Sequence, residues 1–331
     1  MIRRILTRRE FIDFSILSAT ILLSSCSKSQ ERIILGLQKR FYPDSFKKCL
    51  PKSWIKKNIN FSNLYLNDNF DSSQLLIVND GWINQINYDL FQNISSNLKN
   101  KLDERALAIL NNFPEKQRKK FLPIGVMPYV VVIKNNKSLR ITADQSWDFL
   151  LSESLKKKII LPDSPRVVMS IAKKMNTDNS LRKLLDQAFA FDDKNALNWL
   201  INSDINLAIM PYSLCFESFK IDSRLSFIFP NQGVPLIWNF ILTKSLIYEK
   251  NINEWLSYLD NKIIIDKLRL EGFFIPFNFE SYDNYYGQVN SFDGLNNLPS
   301  HECWENSWSF KNLSIKEKKE LENIWTMSSI P

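Results

Sequence analysis

The sequence predicts an α/β protein, in which short strands and amphipathic helices alternate along the chain. Runs of apolar and β-branched residues, such as 128–133 (PYVVVI), are typical of buried strands. Other segments repeat apolar residues at spacings of three and four, which indicates helices packed on one face. With 331 residues, 44% of them hydrophobic and 24% charged, the chain is long enough for about two globular units.

Residues 159–175 show the pattern most clearly. The apolar run 159–161 predicts a buried strand, and Val167, Val168, Ile171, Ala172 and Met175 then fall on one face of a helix. Ser164 suits the N-cap of that helix, and Pro165 suits its first position. Ligands of open α/β sheets bind beyond the carboxyl ends of strands, close to such helix starts. The segment therefore predicts either a ligand-facing turn or an ordinary βα unit.

The first half of the chain supplies further elements in order. Pro43 and Asp44 suit a first helical turn, Asp144 suits a helix cap, and Asn79 to Trp82 (NDGW) suit a turn. Residues 114–120 are charged and predict a loop or turn. Strands are predicted at 32–37, 60–66, 75–78 and 128–133, and helices at 42–50, 92–110 and 144–158.

The second half continues the alternation. Residues 211–213 end a strand, 272–276 end a helix, and 278–299 predict a long polar loop. Ser314 and Glu317 form a capping box at the start of the last helix. Helices are predicted at 181–191, 196–202, 213–220, 252–258, 261–270 and 314–325, and strands at 205–210, 225–229 and 238–242.

The amino terminus carries the features of an export signal. A short apolar stretch, 14–23, follows the basic residues Arg3, Arg4, Arg8 and Arg9. Residues 7–12 (TRREFI) resemble the twin-arginine motif, and 23–26 (LSSC) resemble a lipobox. We therefore expect a twin-arginine and lipoprotein signal peptide at 1–25, lipidation at Cys26 and a tether at 26–31. A general secretory signal, or a buried amphipathic helix with a chance cysteine, is the alternative.

Charge and residue types argue against several functions. The net charge is +8, but the lysines are scattered, which indicates a solvated surface and no nucleic-acid partner. His301 is the single histidine, which argues against histidine-based metal or triad chemistry. The sequence has no GxSxG, HExxH or P-loop motif, so we expect neither an enzyme nor a cofactor or metal. Cys49, Cys215 and Cys303 allow one disulfide with a free thiol, or three free thiols.

Several stretches, taken in order, resemble a known family. They are 75–78 followed by Trp82, 122–133, 159–168, 205–210 with 232–235 downstream, and 272–278. In this order they resemble the type II periplasmic solute-binding proteins, particularly the spermidine/putrescine-binding branch of extracellular solute-binding family 1. The resemblance spans most of the chain after residue 31.

The resemblance implies two α/β lobes joined by a hinge, with a ligand held in the cleft between them. Residues 32–128 plus 236–290 would form the first lobe and 129–235 the second, with 291–331 as a C-terminal loop and helix. It further implies a monomeric lipoprotein, held at the membrane in the periplasm, that delivers a small-molecule ligand to an ABC transporter permease.

The resemblance also implies the ligand contacts. The expected set is Tyr42, Asp80, Trp82 and Phe274 in the first lobe, Asp163, Ser164 and Tyr212 in the second, and Trp238 near the hinge. Helix capping is the alternative role for Asp163, surface packing for Trp82, and core packing for Tyr212 and Trp238. The sequence departs from the polyamine pattern at Ser164 and Val167, where acids are expected, and at Met210, where tryptophan is expected. Residues 235–238 (PLIW) also replace an expected Trp-x-Asp pair.

Three alternatives follow from the residues. The adjacent phenols Tyr285 and Tyr286 suit a ferric-ion binder of the same fold. A secreted enzyme is a second alternative, but the acid pair Asp192 and Asp193 is interpreted as solvated turn residues, which argues against it. The third is an envelope protein that has kept the fold and lost transport.

Overall fold

The computed structural model describes residues 32–61, 72–134, 141–279 and 298–329. Up to residue 134, the described residues contain four strands and four short α-helices. The strands are β1 (Ile33–Leu37), β2 (Trp54–Asn58), β3 (Leu75–Asn79) and the long β4 (Leu122–Lys134), and the helices are α1 (Asp44–Cys49), α2 (Ser96–Lys99), α3 (Glu104–Asn111) and α4 (Glu115–Arg118).

The part from residue 141 onwards contains five strands and eight α-helices among its described residues. The strands are β5 (Ile159–Leu161), β6 (Ala188–Phe191), β7 (Leu207–Pro211), β8 (Leu225–Ile228) and β9 (Leu236–Thr243). The helices are α5 (Pro165–Ala172), α6 (Ser180–Gln187), α7 (Ala196–Asn202), α8 (Tyr212–Ile221), α9 (Glu249–Leu259), α10 (Lys262–Leu270), α11 (His301–Asn306) and α12 (Ile315–Ser329).

The strands form one mixed sheet in the order β2-β1-β3-β9-β4-β7-β5-β6, with β8 also paired to β4. Strands β1, β2 and β3 are parallel, and so are β5, β6 and β7. The antiparallel strands β9 and β4 lie between these groups, so the two groups run in opposite directions. The first lobe is built on β1–β3, β9 and the start of β4, and the second on the end of β4 and on β5–β8.

The register shows where the two lobes meet. Asn79, at the end of β3, is level with Asn239, which is in turn level with Gly125 of β4. Pro211, at the end of β7, is level with Tyr129 of β4. The carboxyl ends of strands from both lobes therefore meet beside the middle of β4. In α/β sheets this is where ligands bind.

The central strands form the core. Every residue of β3 and β9 is buried, and so is every residue of β4 except Lys134. Such continuous apolar runs are typical of strands covered on both faces. The strand predictions for these segments are therefore confirmed, with β4 extending six residues further toward the amino terminus than the predicted 128–133.

Two helix predictions are wrong. Residues 144–158 form two 3-10 helices, Trp147–Leu151 and Glu153–Leu155, because Ser152 between them has an extended-type backbone (φ −59°, ψ 136°). The helix predicted at 181–191 ends at Gln187, and the chain continues directly as β6. Pairing of β6 with β5 outweighs the local helical periodicity there.

The predicted helix at 92–110 is divided in two. Residues 100–103 separate α2 from α3, and Asp103 caps α3, since its carboxylate accepts the N–H of Ala106 at 2.7 Å. Strand β2 has the sequence WIKKN and was not predicted, because two lysines interrupt its apolar pattern, as is common in edge strands. Most of the strand predicted at 60–66 lies outside the described residues, and residues 60 and 61 are not in a strand.

The C-terminal segment, residues 298–329, contacts both lobes. Its capping box is confirmed: Ser314 N–H donates to Glu317 Oε2 at 2.7 Å, and Glu317 N–H donates to Ser314 Oγ at 3.3 Å. Helix α12 packs on α5 and α6 of the second lobe, and Trp325 meets Phe191 edge-on at 5.5 Å. Trp238 of β9 donates its Nε1–H to Ser309 Oγ at 2.7 Å.

Three further findings concern the described part of the chain. None of its helices has both the length and the apolar character required to cross a bilayer. Its three cysteines, Cys49, Cys215 and Cys303, are free thiols, which agrees with one of the two alternatives. The signal peptide, tether and Cys26 lie outside the described residues.

Candidate functional site

The candidate site lies where strand ends from the two lobes meet beside β4. Asp80 follows β3 in the first lobe, while Asp163 follows β5 and Asp193 follows β6 in the second. Tyr129 lies in β4 at the level where β7 ends. We call these residues, together with Arg166 and Phe310, the interlobe site.

Asp80 is the buried acid of the first lobe. It is 7% exposed, and its backbone N–H donates to the carbonyl of Trp238 at 2.9 Å, which fixes the turn against β9. Burial raises the pKa of Asp80 to about 6, although the charge of Arg166 and hydrogen bonds from backbone N–H groups act to lower it. The carboxylate is therefore held in a setting that disfavours its charge.

Arg166 is the cation of the site. It lies in the first turn of α5, and its Nη2 is 3.6 Å from Oδ2 of Asp80 in the other lobe. The guanidinium carbon also lies 4.2 Å from the centre of the Phe310 ring, and Nη2 donates to the carbonyl of Lys311 at 3.4 Å. Arg166 therefore joins three parts of the chain: the second lobe, the first lobe and the C-terminal segment.

Asp163 and Asp193 form an acid pair at the ends of two neighbouring parallel strands. Burial raises the pKa of Asp193 to about 7, and the charge of Asp163 raises it further, while a hydrogen bond from the backbone of Asp163 lowers it. Asp163 itself is exposed. The second lobe therefore presents two carboxyl groups, and burial disfavours ionisation of Asp193.

Tyr129 connects the two acidic regions. It is 4% exposed, and burial raises the pKa of its hydroxyl well above the ordinary value. The charges of Asp193 and Asp80 raise this pKa further, while that of Arg166 lowers it. The phenol is therefore within electrostatic reach of both lobes' carboxylates, and it is neutral at physiological pH.

Trp82 and Ser164 also lie at strand-end turns. Trp82 is half-buried and stacks on Phe61, with ring centroids 6.2 Å apart. Ser164 is the N-cap of α5, but its hydroxyl makes no capping hydrogen bond, and its carbonyl accepts the N–H groups of Val167 and Val168. Both side chains keep part of their surface accessible at the edge where the strands end.

The other predicted contacts lie elsewhere. Tyr42 is 4% exposed and donates its hydroxyl to Asn239 Oδ1 at 3.0 Å within the first lobe. Tyr212 is fully buried among four phenylalanines, and Trp238 is fully buried against Ser309. Phe274 packs against Trp304 with ring centroids 4.5 Å apart and the ring planes tilted by 30°. The structure therefore brings Asp80 and Asp163 into one region and places Tyr42, Tyr212 and Trp238 in the packed interior.

A surface cavity of about 530 Å³ lies in the first lobe, away from the interlobe site. It is lined by residues that include Ile33, Cys49, Trp54, Glu254 and Tyr258. Ile33 and Trp54 begin the parallel strands β1 and β2, so the cavity lies at the amino ends of these strands. Asp80 lies at the opposite edge of the sheet, where strand direction favours ligands.

Sequence reasoning missed several members of the interlobe site. Arg166 was recognised only as part of a family-like motif, and Asp193 was interpreted as a solvated turn residue. The position of Asp193 two residues after a strand would have been a signal, but β6 itself was mistaken for helix. Phe310 has no local signal, because a contact from the C-terminal segment depends on tertiary structure.

Ferric-ion ligation by Tyr285 and Tyr286 falls outside the described residues. Within the described ranges, no group of three or more histidine, cysteine, aspartate or glutamate side chains is arranged to hold a metal ion.

Comparisons with known proteins give matches by structure only. A scan against protein-family models finds no match, and a search of curated proteins also finds none. A spermidine/putrescine ABC transporter substrate-binding protein from Streptococcus pneumoniae is similar, with a TM-score of 0.64 and 12% sequence identity, and the alignment covers 91% of this chain and 100% of that one.

Two other solved structures show the same similarity. A lipoprotein of Treponema pallidum has a TM-score of 0.62 and 12% identity, covering 89% of this chain and 98% of its own. A ferric binding protein from Campylobacter jejuni has a TM-score of 0.57 and 14% identity, covering 91% and 100%. At these identities the similarity establishes the fold, and the fold prediction is confirmed: this chain has the two-lobed α/β architecture of the periplasmic binding proteins.

Proposed function

We propose that this protein is the substrate-binding component of an ABC importer and captures a small, polyamine-like cation between its lobes. One observation carries the proposal: strand ends of both lobes meet beside the middle of β4 and bring Asp80 and Asp163 to one region. A solute bound there contacts both lobes. It therefore stabilises the arrangement in which the lobes lie together, which is how a hinged binding protein signals that it is loaded.

The charges of the interlobe site support a cationic solute. Asp80, Asp163 and Asp193 supply three carboxyl groups against the single guanidinium of Arg166. Ammonium groups are bound by charge-assisted hydrogen bonds to carboxylates and by aromatic faces. Phe310 is such a face, and Trp82 lies at the same edge of the sheet. The polyamine pattern has acids at the positions of Ser164 and Val167. Asp193 supplies an acid to the second lobe in their place.

Export and anchoring belong to the same proposal. A twin-arginine signal ahead of Cys26 would deliver the folded protein to the periplasm, and lipidation would hold it near its permease. Replacing Cys26 with serine should move the protein from the membrane fraction to the soluble periplasmic fraction. Persistence of the Cys26→Ser variant in washed membranes would argue against the lipid anchor.

A thermal-shift screen of the protein against polyamines, amino acids and metal ions tests the proposed ligand class. We expect spermidine or putrescine to raise the melting temperature at micromolar to millimolar concentration, since a ligand that binds only the native state stabilises it. No shift with either polyamine at millimolar concentration contradicts the polyamine proposal.

The screen also discriminates the alternatives. A visible charge-transfer band on addition of ferric citrate, abolished by Tyr286→Phe, would show that the ligand is ferric iron and not a polyamine-like cation. If no small molecule shifts the melting temperature and the protein captures another envelope protein, the results would instead favour an envelope protein that has kept the fold and lost transport.

A further inference from the structure

Arg166 occupies the type of environment that a ligand cation would require. Its Nη2 lies 3.6 Å from a buried carboxylate, that of Asp80, and its guanidinium carbon lies 4.2 Å from the centre of a buried ring, Phe310. A carboxylate and an aromatic face are the two groups that best stabilise an organic ammonium or guanidinium. The protein thus places the guanidinium of Arg166 beside Asp80, the buried acid of the first lobe.

The guanidinium is held loosely there. The 3.6 Å separation exceeds hydrogen-bond distance, and Oδ2 of Asp80 is buried without a hydrogen-bond partner. The hydrogen bond from Arg166 to the carbonyl of Lys311 is long, at 3.4 Å. A guanidinium has five N–H donors and can bind a carboxylate with two short parallel hydrogen bonds, and this pair lacks that arrangement.

Desolvation dominates the electrostatics of both partners. Burial raises the pKa of Asp80 to about 6 despite Arg166, and burial lowers the pKa of Arg166 despite Asp80. The attraction between the two charges therefore does not offset the loss of hydration. Ion pairs of this kind contribute little net stability, although a lone charge left behind is costly. A cation that binds Asp80 more strongly can consequently displace the Arg166 guanidinium at little cost in free energy.

We propose that Arg166 is an internal competitor for the cation subsite formed by Asp80 and Phe310, and that a cationic solute binds by displacing its guanidinium. The identity of the solute rests on the proposed function, but the competition does not. Arg166 would then act as a specificity-determining residue. It selects solutes whose ammonium groups reach Asp80 and the acid pair of the second lobe together, since a single ammonium gains little over the arginine that it displaces.

Chemical rescue tests the competition without any knowledge of the natural solute. In Arg166→Ala the subsite should accept free methylguanidinium. This compound, at tens of millimolar with ionic strength matched by NaCl, should raise the melting temperature of Arg166→Ala by several degrees. It should raise that of the wild type, and of the double variant Arg166→Ala/Asp80→Asn, by much less. Equal shifts in all three proteins would overturn the proposal.

Polyamine affinity supplies a second, independent readout. If Arg166 competes, its removal should tighten spermidine binding by about tenfold or more, because spermidine no longer has to displace a guanidinium from the site. Arg166→Gln serves as a second variant in case the alanine variant folds poorly. Weaker binding by both variants would show that Arg166 holds the solute, and would overturn the proposal. Polyamines binding to no variant would contradict the proposed function alone, and the methylguanidinium result would still decide the competition.

Arg105 provides a matched control. Its guanidinium also lies over a ring, 5.0 Å from the centre of Trp304, and pairs with Glu305 at 3.6 Å. This pair lies outside the interlobe site, and Glu305 is exposed. Arg105→Ala should show neither rescue by methylguanidinium beyond the wild-type shift nor tighter spermidine binding.

Discussion

Arg166 of the second lobe lies 3.6 Å from Asp80 of the first, and this contact directly joins the two strand-end turns that face each other across the hinge. Both side chains are largely buried. Their pKa values therefore depend on the groups that surround them in the cleft more than on charges at the protein surface. The pair also places two ionisable groups in the contact between the lobes, and several measurable consequences follow from this.

The first prediction concerns the pKa of Asp80. Replacing Arg166 with glutamine removes the nearby cation, so the pKa of Asp80 should rise above its present value of about 6. A loss of an opposite charge at this distance corresponds to about one unit or more. Carbon-13 NMR titration of the aspartate carboxyl groups, assigned with Asp80→Asn, measures it. An unchanged pKa in Arg166→Gln, with Arg105→Gln as control, would show that the pair is not formed in solution.

The second prediction concerns stability against pH. Asp193 has a pKa raised from 3.8 to about 7 in the folded protein, so the folded state binds its proton more tightly than the unfolded state does. Its contribution to stability should therefore fall as pH rises from about 4 to about 7 and level off above that. Asp193→Asn should stabilise the protein at pH 8 by on the order of 1–2 kcal/mol, discounted for partial exposure, and by little near pH 4.

Thermal melts of Asp193→Asn across this pH range provide the measurement. Asp178→Asn is the control, since Asp178 is exposed on the same lobe. A stabilisation that is equal at both ends of the range, or absent at pH 8, would mean that burial and the charge of Asp163 do not raise the pKa of Asp193.

The third prediction concerns the contact between β9 and the C-terminal segment. Ser309→Ala leaves the buried Nε1–H of Trp238 without its acceptor, which should cost about 1–3 kcal/mol. Adding Trp238→Phe to this variant removes the unsatisfied N–H, so the penalty of the serine substitution should be smaller in that background. Urea denaturation compares the variants, with Ser154→Ala as an exposed control. Equal penalties of Ser309→Ala in both backgrounds would rule out this hydrogen bond.

The fourth prediction concerns Gly233, in the segment that leads back to the first lobe. Its φ is +87°, and a Cβ at this position would collide with the backbone of Asn306. Gly233→Ala should therefore destabilise the protein by about 2 kcal/mol or more. Gly81→Ala is the matched control, because a Cβ there would meet only the side chain of Asn79, at 3.2 Å. Similar melting temperatures for the two variants would contradict the packing of the C-terminal segment against this turn.

Much of the fold follows from local sequence. Segments with a strong apolar pattern, such as β3, β4 and β9, are buried strands as predicted, and the capping box at Ser314 begins the last helix. The errors fall where tertiary pairing decides the structure. Strand β6 has a helical period yet pairs with β5, and β2 is an edge strand whose lysines hide its pattern.

The site was less predictable than the fold. Asp80 and Asp163 were predicted to lie in turns after strands, because such turns are recognisable in sequence, and both residues do follow strands in the structure. Tyr42, Tyr212 and Trp238 were expected on the resemblance, but packing places them in the interior. Arg166 and Phe310 come together through contact between the second lobe and a segment nearly 150 residues later, for which a sequence gives no local signal.

Titration calorimetry of spermidine into the protein, with one acid removed from each lobe, tests the central claim most directly. We expect one bound polyamine, and both Asp80→Asn and Asp163→Asn should weaken its binding by about tenfold or more, as expected for loss of a charge-assisted hydrogen bond. Glu254→Gln, in the surface cavity of the first lobe, should leave the affinity unchanged. Binding that survives both aspartate substitutions, or that is lost on Glu254→Gln, would contradict a solute site between the lobes.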